Sequence, residues 1–146
     1  MKNKYHKLYT TLSDTIEKFI IEVKSKKLTE MATDEWTVKD ELCHIVFWHE
    51  NYAVNYEALA KHEVPPLPEG MSTINMAGVL SLRHYPMKEL LARLQTAHTS
   101  LYDSIVIKQV PQMTYSKGGR TYETEDFLKM ISRHIITHTK QVKRAK

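Results

Sequence analysis

Apolar residues recur at three- and four-residue steps along four separate stretches of the chain, with polar residues between them. From Asn3 to about Lys26, the residues Tyr5, Leu8, Tyr9, Leu12, Ile16, Phe19, Ile20 and Val23 form the first stripe. That period is the signature of an amphipathic helix with one side turned to a core. The second stripe runs Val38, Leu42, Ile45, Val46, His49, Tyr52, Ala53, Tyr56 and Leu59. Thr37 precedes it as an N-cap, and Asp40 at the third helical position completes an acidic variant of a capping box. Trp36, just before the cap, is expected to pack onto the first turn near Glu41 and Leu42. The third stripe follows Pro86, a residue suited to a first helical position, and includes Leu90, Leu94, Ala97, His98, Leu101 and Ile105. The fourth begins near Tyr122, places Phe127, Leu128, Ile131, Ile135 and Val142 on one face, and carries His134 and His138 on its flank.

The breaks between stripes are equally informative. Val64-Pro65-Pro66-Leu67-Pro68-Glu69-Gly70 stops the second helix, because proline lacks the donor and the backbone freedom a helix interior needs. Residues 71–83 have the character of a short crossing helix. The whole of Pro65 to Pro86 is long for a connection in a compact helical domain and reads as a crossover between two helices that run in the same direction. Such loops tend to shape the mouth of a site. Gly118-Gly119 marks a turn in a small extended flap. The predicted architecture is a single all-α domain over 1–146. It is a four-helix bundle with a long crossover, carrying a short helix, between the second and third long helices.

Composition adds few constraints. With 146 residues the chain suits one domain with a real core. Hydrophobic residues at 42% and charged residues at 26% are ordinary for a globular protein, and no apolar run approaches a membrane span. The single cysteine, Cys43, excludes an internal disulfide and fits a reducing cytoplasm. No leader-like apolar block follows the basic N-terminal residues. A net charge of +4 with pI near 9.1 is mild. The basic residues gather at the two ends rather than on a face with interleaved aromatics, so nucleic acid is not expected as a partner.

The chemistry lies in the histidines. His134 and His138 are four apart, offset by about 40° around a helix, so one helix can offer both to one metal ion. Ile135 stands where a zinc peptidase would carry its catalytic Glu, so the pair suggests a metal and not a peptidase. The third ligand must come from elsewhere. On a helical wheel His49 lies near the middle of the second stripe and His44 about 120° away. Periodicity alone selects His49. A site in a groove between two helices would instead use shoulder residues from both, which selects His44.

Trp36-Thr37-Val38-Lys39-Asp40 followed by His44, with His134-Ile135-Ile136-Thr137-His138 in the last helix, resembles the DinB superfamily of four-helix bundles. The resemblance implies His44, His134 and His138 as ligands of a divalent metal: Zn²⁺, Ni²⁺ or Fe²⁺. His44-Ile45-Val46-Phe47-Trp48-His49-Glu50, the Pro-rich crossover, and Leu90 through His98 are similar to the ClbS/DfsB branch, which includes self-protection against a reactive genotoxin. Arg120 departs from that branch, which often has an aromatic after the Gly-Gly turn. Together with the inner-face positions of the aromatics, the likeness implies a substrate pocket of Trp48, His49, Tyr52, Tyr56 and His98 near the metal. The expected activity is a metal-dependent hydrolase or transferase acting on a reactive small molecule. The competing expectation is a bundle that binds and sequesters such a molecule without turnover. Glu50, His49 and His98 are the candidate acid-base groups. Bundles of this kind pair through a helix face, so a homodimer is also an expectation, although no exposed stripe marks it.

Overall fold

The computed structural model describes residues 4–146, and the predicted start of the first helix at Asn3 lies outside them. The chain is mainly helical. The four stripes become α1 (His6–Lys24), α2 (Val38–Ala60), α4 (Met87–Leu101) and α5 (Thr124–Lys143), and the crossover carries α3 (Met71–Leu82).

The start of α2 follows its local sequence. Asp40 N–H donates to Thr37 Oγ1 and Thr37 N–H donates to Asp40 Oδ2, each at 3.1 Å, which forms the capping box. The Arg83 guanidinium, just past α3, donates two further bonds to Asp40 at 2.7 and 3.1 Å. Burial alone would raise the Asp40 pKa, but Arg83 and Thr37 together hold it below the ordinary carboxylate value. Pro86 sits one residue earlier than expected. It is the N-cap of α4, with an extended backbone, and its carbonyl accepts from Glu89 and Leu90. Beyond Leu101 the third stripe continues as a π-helical segment, Tyr102–Ile107, which brings both Ile105 and Val106 into the core. The flap is a two-residue antiparallel ladder pairing Gln112 with Glu123 and Met113 with Tyr122, closed through Gly118 at φ +76°.

Side-chain pairs give the helix directions. Asp40–Arg83 and Glu50–Arg93 advance together, so the chain from α3 into α4 runs parallel to α2, as the crossover requires. Lys4–Glu125 and Lys26–Ala145 likewise make α1 and α5 parallel. Ser13–His98 with Tyr9–Tyr102 makes α1 antiparallel to α4, and His44–His134 with Tyr56–Thr124 makes α2 antiparallel to α5. The main helix contacts are α1 on α5 and α2 on α4, with α3 laid across α2. At that last contact Gly78 meets the Phe47 ring, and a Cβ there would lie 2.5 Å from the ring carbon Cγ. The core is aliphatic and aromatic, with Leu12, Phe19, Leu42, Leu90, Leu101 and Phe127 fully enclosed. No helix among the described residues is long and apolar enough to cross a membrane.

Candidate metal centre

His134 and His138 stand one turn apart on α5, and the antiparallel crossing with α2 brings His44 against them. His44 Nε2 is 3.4 Å from His134 Nε2, and His134 Nε2 is 2.9 Å from His138 Nε2. One nitrogen from each of the three rings lies within 4.8 Å of the other two. An ion bound tetrahedrally at zinc–nitrogen distances would hold such nitrogens about 3.3–3.4 Å apart. The His44–His134 pair has that spacing, and the His134–His138 pair is tighter.

The surroundings keep these rings available as ligands. Burial first, then His138 and His134, push His44 down to about 3; burial and then His138 push His134 down to about 4. Both are therefore neutral at pH 7, the form that ligates. Glu41, one turn before His44 and fully buried, meets His138 Nδ1 at 2.5 Å through its Oε2. A carboxylate on the far nitrogen orients a ligating imidazole and raises its basicity. Glu41 Oε1 and His44 Nδ1 are buried without a hydrogen-bond partner among the described residues. Trp36 covers the cluster, its ring centroid 4.8 Å from that of His44 and 6.2 Å from that of His138. It thus reaches across the first turn of α2 to the histidines, beyond the expected seat near Glu41 and Leu42. The preceding turn, in which Thr33 Oγ1 accepts from the N–H of Trp36, fixes its approach.

A cavity of about 160 Å³ adjoins His44 and His134. Its remaining walls are Trp48, Tyr52, Met71, Asn75, Tyr115 and Met130. Trp48 Nε1 donates to Asn75 Oδ1 at 2.6 Å, and Tyr115 meets both Trp48 and Tyr52 edge-on at 6.0 Å. Burial pushes the Tyr52 phenol well above its ordinary value. Of the expected pocket residues, the structure brings Trp48 and Tyr52 to this cavity.

The other three lie elsewhere. Tyr56 is fully buried with its hydroxyl on Thr124 Oγ1 at 2.9 Å, so it is a core residue. His49 is five positions beyond His44, about 140° around the helix. It faces α4, where its Nε2 meets His98 Nδ1 at 3.0 Å. Glu50 is held by Arg93 through two bonds of 2.7 and 2.9 Å. Cys43 packs in the interior, where burial raises its thiol to about 11.

Sequence reasoning missed Glu41, Asn75, Tyr115, Met71 and Met130. Only Glu41 had a local signal: three residues before His44, it shares that face of α2. Asn75 and Tyr115 come from the crossover and the flap, whose positions no periodicity reports. Comparison with known protein families, with curated proteins and with solved structures finds no match to this chain.

Proposed function

We propose that the chain is a DinB-like four-helix bundle of the ClbS/DfsB kind, in which His44, His134 and His138 hold one divalent ion. The adjoining cavity then takes a small reactive molecule, and the activity is that of a metal-dependent hydrolase or transferase. The observation that carries this reading is the convergence of three imidazoles, one of them braced by the buried carboxylate of Glu41. That donor set suits Zn²⁺, Ni²⁺ or Fe²⁺, and three protein ligands leave positions open. The ion would supply Lewis acidity, acidifying a water or polarising an atom of the ligand. The chain's own residues would do the rest. Trp48, Tyr52 and Tyr115 present ring faces and edges to a flat or unsaturated group. Asn75, its carbonyl occupied by Trp48, keeps an amide N–H for the ligand. The reading takes the protein as cytoplasmic, with a small-molecule ligand and neither nucleic acid nor membrane as partner.

A second reading, capture without turnover, is favoured by one feature of the cavity. Among the described residues no carboxylate lines it, and the imidazoles that do, His44 and His134, belong to the metal cluster. Elemental analysis and metal titration of tag-free protein test the first reading. About one equivalent of a divalent transition ion is expected, lost in His44→Ala and His138→Ala with the helical circular dichroism spectrum retained. Protein that neither carries nor binds such an ion would overturn it and leave capture by the cavity alone.

A further inference from the structure

His49 and His98 are buried imidazoles that the metal cluster does not use, and they end at a second cleft. His98 Nε2 lies 2.7 Å from Ser13 Oγ on α1, whose hydroxyl also reaches the Tyr9 carbonyl at 3.1 Å and can turn between the two acceptors, and His98 Nδ1 lies 3.0 Å from His49 Nε2 on α2. The His98 ring is fixed in its plane by Tyr9, stacked on it at 4.4 Å and 8°, whose hydroxyl also donates to the His98 carbonyl at 2.7 Å. The cleft at this point has a volume of about 450 Å³; Ser13 and His98 form part of its wall, Ile16 and Ile20 its apolar surface, and Glu17, Lys24 and Gln95 its polar rim. A hydroxyl on an imidazole that is itself oriented by a third group is the arrangement of an activated nucleophile.

We propose that Ser13, His98 and His49 form a second site, which accepts acyl groups from carboxylic esters with short aliphatic chains. Ser13 Oγ attacks the ester carbonyl, and its proton passes to His98 Nε2 as the Oγ–C bond forms. The C–O bond to the alcohol then breaks, and the alcohol leaves with that proton. Water attacks the acyl-serine, gives a proton to His98, and releases the acid as that proton returns to Ser13. His98 acts in the tautomer that donates Nδ1–H to His49, which makes His49 a positioning residue. Gln95 lines the same cleft, and its exposed amide Nε2, 3.4 Å from Thr99 Oγ1, is the donor assigned to the oxyanion. The aliphatic acyl chain lies on Ile16 and Ile20. The chemistry needs no metal, so it stands or falls separately from the reading above.

The test uses the whole chain in the presence of a chelator, with p-nitrophenyl butyrate and a fluorophosphonate as probes. The expected result is a burst of about one p-nitrophenolate per chain and phosphonylation mapped to Ser13 by peptide mass. Ser13→Ala abolishes both, whereas Ser13→Cys restores acyl acceptance. His98→Gln slows acylation by about 10-fold, less than the contribution of a base poised near neutral pH, because burial holds this imidazole near 4. His49→Asn lowers kcat and shifts the acid limb of its pH profile. Label on another residue, a Ser13→Ala protein that reacts like the wild type, or an unlabelled wild-type chain would overturn the proposal and leave the three residues as a packing network.

Discussion

Glu41→Gln separates a functional carboxylate from a structural one. In the folded chain Glu41 is fully buried, meets His138 Nδ1 at 2.5 Å through Oε2, and leaves Oε1 without a hydrogen-bond partner among the described residues. A carboxylate held in the interior with half of its hydrogen-bonding capacity unused is costly to bury. The isosteric amide keeps an oxygen for His138 Nδ1–H and removes the charge. In metal-free protein the thermal midpoint of Glu41→Gln should therefore be no lower than that of the wild type. Metal affinity should move the other way. Removing the charged partner of a ligating histidine typically costs about 10–100-fold, roughly 1.4–2.8 kcal/mol. Competition titration with a chromophoric chelator reads the affinity, and a melt with chelator present reads the stability. A variant that binds the ion like the wild type but melts lower would refute the argument, because Glu41 would then be only a packing partner.

Three further outcomes are expected. Metal-free protein should lose stability as pH falls from about 6.5 towards 4. His49 and His98 are held by burial near 3 and 4 in the fold, while the unfolded chain takes up protons at about 6.5, so acid favours unfolding; urea midpoints that stay flat over that range would contradict this. Gly78→Ala should destabilise by about 1–3 kcal/mol through overpacking against Phe47 and shift α3, which carries Met71 and Asn75 to the cavity; a wild-type melt would show that α3 is not seated on that ring. Thr37→Ala should cost about 1 kcal/mol by opening the capping box, measured by urea unfolding, and a loss near zero would show the box contributes nothing to α2.

Much of the fold is local and was therefore legible. The four stripes, the capping box at Thr37 and Asp40, the Pro-rich break and the short helix after it all follow from side-chain period, capping groups and proline sterics within a few residues. The placement of His134 and His138 on one face is equally local, since a four-residue step on a helix leaves no other arrangement. The partner of that pair was not local. Buried residues on α2 include Asp40, Glu41, His44, His49 and Asn55 as well as the aliphatic stripe, so that helix is enclosed on several sides at once. The middle of a stripe then no longer says which neighbour a residue faces. His49 turned to α4 and His98, while His44, on the shoulder, met α5. Asn75 and Tyr115 were beyond any sequence argument for the same reason: each reaches the cavity through the docking of a distant segment, and docking depends on how whole helices pack rather than on the order of residues within one.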